Sequence, residues 1–311
     1  MTFLVESNKY LEVCQSIKKL DTLTLKAYCI DFKQFQEFLT FNNCQALEDI
    51  NKRTLNQYIE LLSKKYAVKT VKRKMASLKA FFHYLEMEEI VTVSPFRKVK
   101  YNAREARRLP KSLSIFEVEK LIAYIYSSTS QDIGVKDKVK TSLTKVRDIA
   151  VFELMFATGL RVSELCKLTI KDVDLETQNV RILGKGNKER LIHISNAYVL
   201  MSLREYVLKR PNTDSDALFI NRTGQNLSEQ SVRFFIKRIG KKVLNKLVTP
   251  HMIRHSFATL MLEEGVDIRY IQTFLGHSSI TTTQIYTHST TVKQKQIMLN
   301  FHPRNRIIVK D

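Results

Sequence analysis

Six residues in the second half of the chain suit one chemistry when taken in order: Arg161, Lys185, His251, Arg254, His277 and Tyr286. Two guanidiniums, an ammonium and two imidazoles precede a tyrosine that lies near the C-terminal end. Attack on a phosphodiester without a metal needs such a set. It requires a nucleophilic oxygen, a proton donor for the leaving oxygen, and fixed cations for the charge that builds on the phosphoryl group. The formal net charge of +20 and a pI near 9.7 make a polyanion the first substrate class to consider.

Each residue occupies a local setting that the sequence defines. Arg161 lies in Ala157-Thr-Gly-Leu-Arg-Val-Ser-Glu-Leu, where Gly159 reads as the C-cap of one helix and Ser163 or a neighbour begins the next. An arginine in that turn presents its planar fork to two phosphate oxygens, and Glu164 three residues on is placed to orient it. Lys185 sits between Gly184 and Gly186 at the tip of a hairpin. There a neighbouring cation and a partly desolvated phosphate would lower its pKa enough for proton donation. Lys188 and Arg190 are nearby alternatives for that role.

Thr249-Pro-His-Met-Ile-Arg-His reads as an N-cap, a proline in the first turn and a helix running to Gly265, with His251 and Arg254 on one face. His251 and His255 have metal-like spacing, but the motif is not HExxH and lacks an acidic third ligand, so no metal is expected. A short helix from near Asp267 ends at Gly276 and leaves His277 on a turn, and Tyr286 follows nine residues later. Taken singly, each of the six has a commoner structural use, as an ion pair, a solvated turn or a core ring.

The elements that must position these groups follow from periodicity and punctuation. Gly (8) and Pro (5) are scarce, which predicts a mainly helical chain, long enough at 311 residues for two domains. Residues 1–94 read as a helical domain, with apolar residues at three- and four-residue spacing over Thr24–Phe41, Leu55–Leu62 and Val71–Leu85. Lys69, Lys72, Arg73, Lys74 and Lys79 crowd the polar face of the third stretch, as a solvated surface or a phosphate-facing one.

Residues 95–111 hold seven cations (Arg97, Lys98, Lys100, Arg104, Arg107, Arg108 and Lys111) against Glu105 alone, and read as an extended basic linker suited to a phosphate backbone. Residues 112–311 form the second domain. It opens with Ser114 and Glu117 as a capping box, passes a polar stretch over 127–145 taken as a surface loop or insertion, and continues with an apolar helix from about Lys145 to Thr158. A β-hairpin over 180–194 follows, and then helices.

Cys14, Cys29, Cys44 and Cys166 form no CxxC pair and read as reduced core residues. No apolar run approaches the roughly 20 residues that span a bilayer, and the N-terminal residues lack a signal-peptide pattern. A cytoplasmic protein without membrane contact is expected.

Joined in order, the stretches ATGLRVSEL, GKGNKER, PHMIRHSFATLML and IQTFLGHSSITTTQIYTH resemble the tyrosine recombinases, also called phage-integrase-type site-specific recombinases, and the wording is most like the Xer subgroup. The resemblance covers residues 110–290 as the catalytic domain. It implies a core-binding, SAM-like helical domain before it, and a mostly helical catalytic domain with a small β-sheet.

Residue by residue, it implies that Tyr286 is the nucleophile, that Arg161 and Arg254 hold the non-bridging oxygens, and that Lys185 is the general acid. His251 would serve proton transfer with the nucleophile, His277 would orient the phosphate, and Glu164 would support the first arginine. It implies no cofactor, a double-stranded DNA recombination site as substrate, self or a paralogous recombinase in a tetrameric synapse, accessory proteins, and a C-terminal helix that docks on a neighbouring subunit. Chromosome dimer resolution, mobile-element integration or excision, and inversion all fit this reading. Its rivals are relaxation of DNA in the manner of a type IB topoisomerase and a catalytically silent DNA-binding regulator.

Overall fold

Aromatic residues at helical spacing build the first unit. In the computed structural model, which describes residues 2–44, 46–99, 101, 103, 111–127, 138–184, 189–276 and 288–308, the chain divides into two compact units, Met1–Arg108 and Leu109–Asp311. The first contains α1 (Phe3–Ser16), α2 (Thr22–Phe41), α3 (Lys52–Lys65) and α4 (Val68–Met87). Phe3, Phe35 and Phe81 meet edge-on at ring separations of 5.1 and 5.2 Å, in a core completed by Tyr10, Phe32 and Phe82. Asp21 caps α2 by accepting from the Leu23 and Thr24 amides, and Asn51 caps α3 in the same way.

Helix α1 was not apparent from periodicity because its pattern is inverted in the first turn. Leu4 and Val5 are exposed, whereas Glu6 and Ser7 are buried.

The segment expected to be extended from Pro95 begins differently. Pro95–Lys98 form a 3-10 turn capped by Ser94, because Phe96 is buried against Phe82 at a ring separation of 5.7 Å. Lys100, Arg104, Arg107 and Arg108 lie outside the described residues.

The second unit is organised around a helix with almost no polar side. It contains α5 (Ile115–Ser127), α6 (Lys138–Thr158), the short α7 (Val162–Leu165), strands β1 (Val173–Asp174), β2 (Asn179–Leu183) and β3 (Glu189–His193), α8 (Ala197–Lys209), α9 (Glu229–Leu244), α10 (Pro250–Glu263), α11 (Ile268–Leu275) and α12 (His288–Phe301). From Ile149 to Thr158 every residue of α6 is buried, and α5, α8 and α10 pack around it. The capping box expected at the start of α5 is formed, with Ser114 and Glu117 exchanging backbone-to-side-chain bonds of 3.0 and 3.3 Å.

The helix expected from Lys145 begins seven residues earlier, so the polar stretch 127–145 is helical from Lys138 onward. Leu143 packs on the core and Thr144 is buried, contacts that the polar composition concealed. Residues 128–137 lie outside the described residues.

The β-hairpin is present as expected and gains a third member. The antiparallel sheet runs β1-β2-β3, with Val180 opposite Ile192 and Ile182 opposite Arg190. Among the described residues no helix is long and apolar enough to cross a membrane.

The C-terminal segment is fastened to its own domain. After α12, Pro303–Arg306 form a 3-10 turn that carries Arg304 into the interior, where it is fully buried and grips Glu153 of α6 through bonds of 2.7 and 2.8 Å. Tyr126 also donates to Glu153 at 3.0 Å. His302 lies between Phe156 and Phe257 and accepts the Arg304 amide at 3.0 Å through Nδ1. Burial, with the Arg304 charge beside it, pushes the His302 imidazole down to about 3, so the ring stays neutral. Asn196 and Asn305 tie the same turn to the start of α8.

Removing one member of the buried pair leaves its partner charged and unpaired. Arg304→Met should therefore lower unfolding stability by about 3–5 kcal/mol in denaturant titrations, and adding Glu153→Leu should recover most of that loss.

Candidate active site

Glu164 is the fixed point of the second unit's polar cluster. Helix α6 stops at Thr158 because Gly159 turns left-handed at φ +60°, where an added Cβ would lie 2.6 Å from Phe257. The chain then runs through Arg161, the N-cap of α7. The Arg161 amide donates to Glu164 Oε2 at 2.9 Å, and its guanidinium Nη1 donates to Oε1 at 2.8 Å. Two bonds to one carboxylate fix this arginine at backbone and head, while its side chain remains 41% exposed.

Two further guanidiniums come from distant parts of the chain. Arg254, on α10, is buried and spans two helix ends. It donates to the Gly159 carbonyl beyond α6 and to the Leu275 carbonyl of α11, both at 2.7 Å, where helix dipoles favour a cation. Its Nη1 stands 3.9 Å from Glu164 Oε2. Burial, followed by the nearby Arg161 charge, pushes Arg254 down to about 10, which still leaves it cationic at neutral pH.

Arg190, on β3, donates to both Glu164 oxygens at 3.1 and 2.8 Å and to the Phe274 carbonyl at 2.8 Å. Burial alone would raise the Glu164 carboxyl. Hydrogen bonds from Arg190 and from the Arg161 amide outweigh it and hold the group below the ordinary carboxylate range. Three guanidiniums thus face one carboxylate, an arrangement with excess positive charge directed toward an anion.

From the sequence, Arg190 is, with Lys188, an alternative to Lys185 as proton donor. Its burial and its three acceptors remove it from that role. The signal for its position was present, since Arg190 alternates in phase with the buried Ile192 and Ile194.

Thr249 caps α10 by accepting the Met252 amide at 3.3 Å, and Pro250 fills the first helical position, as expected. His251 follows and is exposed, one turn before the buried Arg254. Among the described residues no group of three side chains is placed to hold a metal ion. Asp267 caps α11, and Gly276 ends it at φ +63°. Lys185, His277 and Tyr286 lie outside the described residues; the elements that flank them are β2 and β3, α11, and α12 respectively.

The cations expected to face phosphate on α4 separate into two kinds. Lys69 and Lys72 are exposed. Lys74 is corrected: it is buried and bonded to Asp31 at 2.9 Å and to Gln34, with its ammonium 5.1 Å from the Tyr66 ring centre, so it is unavailable to a ligand. Arg73 is partly exposed but spends its fork on Asp31, and Ser77 donates to the same carboxylate at 2.9 Å. Arg97 pairs with Glu86 at 2.9 Å, and Lys98 is exposed.

With this geometry in hand, comparison with known proteins gives a single picture. The sequence model of the Phage integrase family matches residues 117–293, and that of the Phage integrase N-terminal SAM-like domain matches residues 8–89. The chain is 44% identical over 303 residues to a tyrosine recombinase of Agathobacter rectalis, covering 96% of each chain. It is 35% identical to tyrosine recombinase XerD of Listeria innocua, covering 92% of this chain and 95% of that one. Among solved structures it is similar to XerH site-specific recombinase bound to its difH substrate before cleavage, with a TM-score of 0.66, 25% identity, and coverage of 91% of this chain and 81% of that one. A lambda integrase dimer on a core site shares the fold at a TM-score of 0.68 and 19% identity, over 90% and 96% of the two chains.

The close approach of α11 to the arginine cluster has a measurable consequence. A Cβ added at Gly276 would lie 2.9 Å from the Arg190 guanidinium, in a left-handed backbone. Gly276→Ala should cost about 1–2 kcal/mol from the backbone alone, read as a lowered denaturation midpoint.

Proposed function

We propose, for a chain that belongs to the phage integrase family and is a Xer-like tyrosine recombinase, that it cleaves and rejoins DNA strands through a 3′-phosphotyrosyl intermediate without metal or ATP. The Tyr286 phenolic oxygen attacks the scissile phosphorus and loses its proton toward His251. The bond to the 5′-oxygen breaks, and that oxygen takes a proton from Lys185. Arg161 and Arg254 neutralise the non-bridging oxygens of the five-coordinate transition state, with His277 beside them and Glu164 orienting Arg161. The 5′-hydroxyl of a second strand then reverses the step. The phosphotyrosyl bond conserves the energy of the phosphodiester, which is why no nucleotide is consumed.

The observation that carries this reading is the pairing of Arg161 and Arg254 around Glu164, with one guanidinium locked inside and the other locked but open to solvent. A structural ion pair has no need of excess cations; an anionic transition state does. Further support comes from relatives that are named recombinases over nearly the whole chain, and from XerH, whose structure holds a DNA recombination site. The partners in this reading are duplex DNA and other copies of this chain or of a paralogue, assembled as a tetramer on two sites with accessory proteins. Lys69, Lys72 and Lys98 are the exposed cations of the first unit assigned here to the DNA backbone, together with the basic residues of 100–108. Resolution of chromosome dimers and movement of a mobile element are both served by this chemistry.

Two outcomes test the reading. A nicked duplex carrying a site first selected by the protein from random sequence should trap a covalent adduct. Tyr286→Phe should bind that duplex and form none; an adduct of unchanged yield would remove Tyr286 from its role. Affinity for the same duplex should fall with salt at a slope of about −0.9 per neutralised phosphate on logarithmic axes, and Lys69→Ala with Lys72→Ala should make that slope shallower.

A further inference from the structure

Arg190 makes more side-chain bonds to the Glu164 carboxylate than Arg161, the arginine that carboxylate is expected to orient. Its fork takes both oxygens, at 3.1 and 2.8 Å, whereas the Arg161 guanidinium bonds only Oε1 through Nη1 among the described residues. Arg190 is itself held by a third bond to the Phe274 carbonyl and by the absence of a side chain at Gly276, whose Cβ would collide with it. Nearly buried beneath the cluster, it does not face solvent as Arg161 does.

We propose that Arg190 is a positioning residue for strand cleavage: it saturates Glu164 so that Arg161 and Arg254 direct their charge and remaining N–H groups at the scissile phosphate. Two physical effects combine. A carboxylate already gripped by a bidentate fork offers Arg161 one side-chain bond in place of two, so the rest of that guanidinium stays available for phosphate oxygens. The third cation also cancels the negative charge of Glu164, which would otherwise oppose a phosphate brought to within a few ångströms in a poorly screened site. Without Arg190 the carboxylate would draw Arg161 into a bidentate pair, and Arg254, 3.9 Å away, would turn toward it as well. The bond to Phe274 adds a geometric role, since it fixes the end of α11, whose Leu275 carbonyl is a partner of Arg254.

The proposal rests on the reading that Arg161 and Arg254 hold the non-bridging oxygens, and its test separates the two. Cleavage is measured on a selected-site duplex with an ordinary scissile phosphate and on one with a methylphosphonate, in which a methyl group replaces one non-bridging oxygen and removes the charge. Arg190→Gln should cleave the ordinary duplex about 10²-fold more slowly, the size expected for misplaced catalytic cations, with binding unchanged. On the methylphosphonate, the defects of Arg190→Gln and of Arg161→Ala, each against the parent on the same substrate, should both shrink to under about tenfold.

Parental cleavage by Arg190→Gln would overturn the proposal. So would a defect that stays full on the methylphosphonate while that of Arg161→Ala shrinks, because Arg190 would then be structural only. If Arg161→Ala is not relieved, the phosphate-binding reading fails and the proposal fails with it.

Should Arg190→Gln alone not fold, the double variant Glu164→Gln with Arg190→Gln removes both buried charges together, which proteins tolerate far better than one stranded charge. It should cleave no more slowly than Glu164→Gln alone. Losses that multiply would show that Arg190 acts apart from Glu164, and would overturn the proposal.

Discussion

The carboxylate of Glu164 is the constraint on which the second unit depends. Its two oxygens collect bonds from the Arg161 amide, the Arg161 guanidinium and both Nη atoms of Arg190, with Arg254 standing at 3.9 Å. These donors arrive from the α6–α7 corner, from β3 and from α10, and through Arg190 and Arg254 the cluster also holds the end of α11. Taking a carboxylate out of water is costly, and the cost is offset only where every lone pair finds a donor. Each element is therefore held to its place by the same requirement, and the spacing of the cations follows from it. The glycines at 159 and 276 have the left-handed backbone that brings two helix ends close enough to share Arg254.

The first unit solves an equivalent problem with Asp31. One buried carboxylate receives Arg73, Lys74 and Ser77, and in doing so withdraws one lysine entirely, and most of one arginine, from the basic surface of α4. A protein of net charge +20 cannot be read as uniformly presenting that charge outward. Some of its cations are internal fasteners, and on α4 only those without a buried acidic partner remain for an outside anion. The distinction matters most on α4, where Lys72 and Lys74 are two positions apart and have opposite fates.

Local signals were legible in the sequence and long-range pairings were not. The capping box of Ser114 and Glu117, the Thr249-Pro250 helix start, the Gly159 and Gly276 helix ends and the β-hairpin all follow from backbone rules that act within a few residues, and each is present. Helix α1 was hidden because Leu4 and Val5 face outward while Glu6 and Ser7 are buried, which defeats a reading based on apolar period. Lys74 was misjudged because its partner lies 43 positions away, and although strand alternation places Arg190 inward, its partners Glu164 and Phe274 lie 26 and 84 positions away. Periodicity reports which face of an element is apolar. It does not report which distant charge will neutralise a polar residue once the elements pack.

The pairing of Glu153 with Arg304 extends this to the time axis of synthesis. The two residues are 151 positions apart, so at 5–20 residues per second the ribosome needs roughly 8 to 30 s to supply the cation that the carboxylate on α6 requires. During that interval α6, the helix around which the second unit is organised, carries an acid with nowhere dry to go. The network of the first unit, by contrast, closes once residues 31 to 77 have emerged. The chain thereby acquires an order of maturation in which its second unit is the last to be completed. A partly translated recombinase is left with its second unit short of the cation that Glu153 on its central helix needs.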